Sequence, residues 1–293
     1  MPRSVPGLIA DTFRLYRRYP LLFLALATGV AVPYQLIVLA CTGAGQLTYR
    51  QLNGGTTLAL FLIHSILITP LVSALHVHAV AEVREGGEPR VGSVARRGLA
   101  VLPVVVAAAI MSAIGIAAGL LALVIPGIVL WLRWHVVVQA AAIEDKGWTA
   151  ALRSSWSLTK EQALRVAGFL LAVFVVVGVP FFLAGLPFRH GQTTLVSFLV
   201  GLALGSVTLS FGALADSLLY FDLRARAELA DDTPPRERRS VDPRHYTDED
   251  RPSGWYVDPE EPWQMRYWSA ADEAGWHRKT ISTPRGIRRE WEG

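Results

Sequence analysis

Between Arg18 and Arg224 the chain runs through one apolar stretch after another, each long enough to cross a bilayer, and its short-loop Arg and Lys residues gather on alternate connections. A hydrocarbon core of about 30 Å requires roughly 20 apolar residues in helical form. Uncharged runs reach that length at residues 19–49, 51–81, 98–132 and 166–188, and at 190–215 with His190 neutral. They are rich in Leu, Val, Ala and Gly and lack strand-like alternation, which favours a helical bundle over a barrel. Charged residues make up 18% of the 293, against about 25% in soluble domains. The mean hydropathy is +0.35.

The run over residues 98–132 is too long for one span. Pro126-Gly127 is the expected break, because a helix tends to stop before proline. One span then lies near residues 99–120 and the next near 127–143, with Arg133 inside the second. A count of five spans competes with six, and charge separates them, since cytoplasmic loops carry the Arg and Lys excess. With six spans, one side collects Arg3, Arg14, Arg17 and Arg18, then Arg84, Arg90, Arg96 and Arg97, then Lys146, Arg153, Lys160 and Arg165. The other side holds only Arg50 and Arg189. The sequence therefore predicts an all-α polytopic membrane bundle with spans near residues 20–42, 57–81, 99–120, 127–143, 166–187 and 194–221. Both termini are expected to be cytoplasmic, with the bilayer as the main partner and no nucleic-acid surface.

The membrane domain, residues 1–228, reads as three units. Each has an amphipathic lead-in, an outward span, a return span and an acidic-then-basic exit. The lead-ins are residues 8–18, 91–97 and 148–160, expected to lie in the headgroup plane. Leu8, Ile9, Thr12, Phe13 and Tyr16 share a face of the first; Trp148, Ala151, Leu152, Ser155 and Trp156 share a face of the third. The exits are Glu82-Val83-Arg84, Glu144-Asp145-Lys146 and Asp222-Leu223-Arg224. Residues 229–252 are rich in Asp, Glu, Arg and Pro and predict a disordered linker. Aromatic residues then return in residues 253–284, with Trp255, Tyr256, Trp263, Tyr267, Trp268 and Trp276 predicting a small β-rich cytoplasmic module. Some 30 residues make a marginal core, so this module is a candidate for binding a protein partner or a second copy, through Trp255, Tyr256, Tyr267, Trp268 and Trp276. Residues 285–293 form a basic tail.

No HExxH, GxSxG, Walker loop or CxxC pattern occurs, so no catalytic, cofactor or metal site is predicted. The lone Cys41 excludes an intramolecular disulfide. It follows Val38-Leu39-Ala40, but the apolar run before it is longer than a signal peptide's, so it reads as part of an uncleaved first span. Arg133 and Asp216 are the candidate intramembrane polar residues. A charge inside a span costs at least ~2.5–3.5 kcal/mol on insertion scales. Arg133 either contacts an anion or lipid phosphate within the bundle, or snorkels toward the outer interface, or bonds carbonyls freed by Pro126. Asp216 pairs with a basic residue or reaches the inner interface. His64, His76 and His78 read as satisfied or interfacial rather than metal ligands, since residues two apart point to different helix faces. Gly115-x-x-x-Gly119 and Gly201-x-x-x-Gly205 predict close helix approach.

Pro126-Gly127-Ile128, Leu132-Arg133-Trp134, Glu144 and the segment Ala150-Ala151-Leu152-Arg153-Ser154-Ser155-Trp156-Ser157-Leu158-Thr159 resemble the central signature of the glycerophosphoryl diester phosphodiesterase membrane-domain family. Residues 11–18 resemble its amphipathic start and residues 219–226 its end. The resemblance implies an integral membrane domain without the phosphodiesterase catalytic domain fused to it in some members. Gly254-Trp255-Tyr256-Val257-Asp258-Pro259, Arg266-Tyr267-Trp268 and Gly275-Trp276 resemble the short bacterial "domain of unknown function 2510". Val257 stands where that pattern has Pro, and Ser269-Ala270 where it has Asp-Gly. This second resemblance implies a bacterial plasma-membrane protein with a cytoplasmic tail, and no activity.

Overall fold

The computed structural model describes residues 3–43, 45, 54–144, 147–188, 194–231, and the strand residues 254–257, 265–268 and 276–277. The chain divides into two units, Met1–Ala227 and Glu228–Gly293.

The first unit is helical: α1 (Val5–Arg18), α2 (Pro20–Thr42), α3 (Gly54–Ile63), α4 (Thr69–Arg84), α5 (Val91–Ala100), α6 (Leu102–Ala122), α7 (Val124–Arg133), α8 (Val137–Ile143), α9 (Trp148–Thr159), α10 (Ala163–Val173), α11 (Val179–Gly185) and α12, Leu195–Asp231, which runs on past the unit boundary. Six helical segments are long and apolar enough to cross a membrane: Pro20–Thr42, Gly54–Arg84, Leu102–Ala122, Val124–Ile143, Ala163–Phe188 and Leu195–Leu229. The second joins α3 to α4 through a π-helical turn at His64–Ile68, and the fifth joins α10 to α11 through another at Phe174–Gly178. Each turn ends two residues before a proline, Pro70 or Pro180. A proline removes one i→i−4 bond and crowds the preceding turn, and a wider turn absorbs both effects.

The break between the third and fourth spans falls at Leu123, which is extended (φ −162°, ψ 143°), and not at Pro126. Pro126 is the third residue of α7, in the first turn, where its missing N–H has no helical partner to lose. Gly115 and Gly119 face the returning helix within this hairpin. A Cβ at Gly115 would meet the Trp134 ring at 2.4 Å, and one at Gly119 would meet the Gly127 backbone at 3.0 Å. This small-residue face is thus filled by the chain's own α7.

The buried residues gather at one end of the bundle. Phe23, Leu75, Val94, Val137, Ala151, Leu214 and Leu219 belong to one continuous core. Leu36, Phe61, Leu121, Ile125 and Leu195, toward the other end, are exposed, as lipid-facing side chains are.

The buried end has a cyclic plan. The lead-in α5 packs on α4 and α2 of the unit before it, and α9 packs on α8 and α6. The first lead-in, α1, closes the circle on the third unit: it packs on α10, and Phe13 meets Phe211 of α12 at 4.8 Å between ring centroids. Each exit carboxylate ties to the next lead-in. Glu82 pairs with Arg97 of α5 at 3.1 Å, Glu144 accepts from Ser154 of α9 at 2.6 Å, and Asp222 accepts from the backbone N–H of Arg3 at 2.6 Å. The Arg3–Asp222 and Phe13–Phe211 contacts set the N-terminal segment and α1 against the second half of α12. Each lead-in buries an i, i+4 pair: Leu8 and Thr12, Val94 and Gly98, Ala151 and Ser155. On α9 the buried stripe is Ala151, Ser155 and Thr159, whose small side chains admit the neighbouring backbone, while Trp148 and Trp156 are exposed.

Beyond the end of α12, the second unit is described through ten backbone positions. Gly254–Val257 (β1), Met265–Trp268 (β2) and Trp276–His277 (β3) pair antiparallel in that order. These few residues do not constitute a folded core. The predicted linker lies outside the described residues except for its first three positions, which continue α12; the basic tail lies wholly outside them.

Candidate functional site

The fourth span is interrupted where the sequence places its charge. Arg133 is the last residue of α7, and Trp134–Val136 form an unwound turn before α8. An interrupted helix exposes carbonyls that have no helical donor, and α9 supplies donors from its small-residue stripe. Ser155 Oγ and Thr159 Oγ1 donate to the Arg133 carbonyl at 2.8 and 2.9 Å. The Arg133 guanidinium lies over the Trp156 ring, 5.4 Å from its centroid. Its Nη1 is buried, with no hydrogen-bond partner among the described residues. The side chain therefore packs on the α9 lead-in at the buried end. The freed carbonyl belongs to Arg133 itself and arises from the turn after it rather than from Pro126.

Asp216 is brought to the same turn. Its Oδ1 lies 3.1 Å from His135 Nε2, with side-chain exposures of 24% and 14%, so a histidine two residues past Arg133 joins the fourth span to the sixth. Trp131 meets the His135 ring edge-on at 6.3 Å. A hydrolytic relay would need the other ring nitrogen directed at a hydroxyl or thiol, and no such contact occurs at His135 among the described residues.

His135 was not singled out in the sequence, although its place in the same turn as Arg133 marks it. His76, by contrast, is a joint: Nδ1 lies 2.8 Å from the Val72 carbonyl oxygen, and Nε2 lies 3.0 Å from Ser210 Oγ, which donates to the Phe23 carbonyl. It thereby links the first, second and sixth spans. His64 stands on the π-helical turn and lines a cavity of about 190 Å³ with Tyr34, Gln35 and Thr208. Tyr34 donates to the Leu60 carbonyl at 3.1 Å.

The densest ionic cluster centres on Asp222, which is 6% exposed. It accepts from Arg165 Nη2 at 2.9 Å and from Arg226 Nε at 2.8 Å, besides the Arg3 backbone. Arg165 and Arg226 also donate to the Arg3 carbonyl. Glu144 adds a second polar joint, accepting from Tyr220 Oη at 3.1 Å. No group of three or more His, Cys, Asp or Glu is placed to hold a metal ion among the described residues.

In the second unit Trp255 is the register partner of Tyr267, Trp268 of Trp276, and Tyr256 of Arg266. The five aromatic candidates thus stand on three adjacent strands.

No family model, curated protein or solved structure matches this chain. The class defined by fold and site is a polytopic helical membrane protein whose interior polar groups link helices. The two family resemblances rest on the residues quoted for them.

Proposed function

We propose that the chain is a non-enzymatic integral membrane scaffold associated with lipid and envelope organisation. In this reading it sits in a bacterial plasma membrane, with both termini and the aromatic module of residues 253–284 on the cytoplasmic side. The orientation draws on the Arg and Lys bias of the loops. One observation carries the scaffold reading: the polar groups of the bundle serve as joints between its three units. Arg133 lies against α9, Asp216 against His135, His76 against Ser210, and Glu144 against Ser154 and Tyr220. Such linkages favour a rigid frame that presents a cytoplasmic module to a protein partner or a second copy.

The test compares the full chain with one lacking residues 253–284, both purified from the same cells. The full chain is expected to bring down a partner, or to self-associate, and the shortened chain to lose that association while still reaching the membrane. Identical partners and oligomeric state in both would overturn the docking role.

A second reading, a transporter or lipid-moving protein, draws on Arg133 and on the cavity beside His64, since π-helical turns recur at functional sites. Liposomes holding the purified protein that move solute or lipid faster than protein-free liposomes, with the gain lost in Arg133→Ala or His64→Ala, would replace the scaffold reading. A membrane enzyme would have to rest on the Ser210 hydroxyl beside His76 Nε2, which is buried and donates to the Phe23 carbonyl.

A further inference from the structure

We propose that the open cavity between α1, the end of α4 and the end of α12 binds the phosphate of an anionic lipid headgroup. The inference rests on the scaffold reading, because it takes the buried end of the bundle to lie at a membrane surface. The cavity measures about 450 Å³, and Arg14, Arg18, Arg84, Asp11, Asp222 and Phe221 are among its lining residues. At ~30 Å³ per water, that is room for a phosphate with its glycerol or a similar headgroup.

The charges inside the cavity are not balanced. Asp11 is occupied by Arg3 and Arg14, and Asp222 by Arg165 and Arg226. Arg18 and Arg84 have no carboxylate partner among the described residues. Each rests instead on an aromatic face: Arg18 at 5.3 Å from the Tyr19 centroid and Arg84 at 4.6 Å from that of Phe221. A ring face holds a guanidinium in place while leaving its edge N–H groups open, and those donors form the planar fork that matches phosphate oxygens. Two oriented, unneutralised guanidinium groups in one cavity therefore recognise an anion with several oxygens.

The apolar part of the lining points to a lipid rather than a soluble anion. Leu8, Leu15, Leu218 and Phe221 line the cavity along with the arginines. A lining part cationic and part apolar suits an amphiphile whose first carbons follow the phosphate. The position agrees: Arg18 stands two residues before the first span and Arg84 is the last residue of the second, the level at which basic pockets between helices bind anionic headgroups. The cavity also lies where the third unit closes on the first, so a phosphate there would bridge α1, α4 and α12 across the closure.

The full chain in a neutral detergent would be titrated with short-chain phosphatidylglycerol, short-chain phosphatidylcholine and inorganic phosphate, with lipid adducts read by native mass spectrometry. Phosphatidylglycerol is expected to bind at least about tenfold more tightly than phosphatidylcholine, whose phosphate offers the same oxygens but whose choline cation is repelled by the unneutralised arginines. The same preference should vanish in Arg18→Gln/Arg84→Gln and persist in Arg17→Gln, a neighbouring charge on α1 outside the cavity lining. If the double variant fails to fold, the wild-type measurement still decides, because its preference should fall as salt rises. Equal binding of the two lipids, or a preference kept by the double variant, would overturn the proposal. Inorganic phosphate that displaces phosphatidylglycerol at equal concentration would overturn the lipid assignment in favour of a soluble anion. Membrane fractionation of the same cells separates the two readings: a chain that leaves the membrane with alkaline carbonate sinks the scaffold frame, whereas one that stays but shows no preference sinks only this site.

Discussion

The two ends of the membrane unit draw on the same apolar vocabulary and hold together differently. At the end where α1, α5 and α9 gather, Asp222 is 6% exposed and Leu75 5%, and carboxylates bridge one unit to the next. At the opposite end Leu121 is 89% exposed and Ile125 75%. Lipid tails are as apolar as leucine, so burying side chains there gains little, and association must come from close packing and polar contacts. Those contacts are concentrated at the first end. The difference locates stability at the end that also carries the charge.

The largest effect that would test this contrast is expected at Asp222. Asp222→Ala leaves Arg165 and Arg226 facing each other and the Arg3 N–H without its acceptor. Removing one member of a buried ionic cluster costs about 3–5 kcal/mol, and the lower figure is expected because Arg226 keeps 27% of its side-chain surface. The check is chemical unfolding in detergent followed by tryptophan fluorescence. A loss below ~0.5 kcal/mol would show that the unit does not close through this residue.

A smaller change is expected at the turn of the fourth span. Ser155→Ala with Thr159→Val removes both hydroxyl donors to the Arg133 carbonyl. An unsatisfied carbonyl away from water costs about 1–3 kcal/mol. Amide exchange should quicken at residues 134–136 while the α6–α7 hairpin, held by its own Gly faces, keeps its protection. Unchanged exchange at the turn would mean that α9 does not restrain it.

The sequence and the structure meet unevenly along the chain. The spans were legible because their signal is length and apolarity, which tertiary contacts do not alter. The lead-ins were legible as amphipathic, but which part of the apolar face packs on the bundle was not. In α9 it is Ala151, Ser155 and Thr159, set by proximity to the α7–α8 turn. Arg133 stood out as a lone charge within a span, and its partners did not, because Trp156 and the two hydroxyls lie 22 or more residues further along. A separation of 81 residues hid the His135–Asp216 pair. The repeated exits were visible as three short motifs, and their cyclic use emerges only from packing.

The smallest expected effect compares one substitution at both ends. Leu121→Ala removes atoms that face lipid in the folded chain and in its unfolded but inserted state, so its cost should stay within ~0.5 kcal/mol. Leu75→Ala makes the same chemical change where Leu75 fills the space over Gly98, 2.6 Å from where a Cβ would stand there. It leaves a cavity and should cost about 2 kcal/mol or more. Both variants would be unfolded under identical detergent conditions, which cancels the transfer of leucine to detergent. Equal losses would mean that the far end is packed as tightly as the charged end and that stability is spread along the bundle. A large loss at Leu75 alone would confine the cooperative core to the level of the lead-in helices, leaving the far ends of the spans to move with the lipid around them.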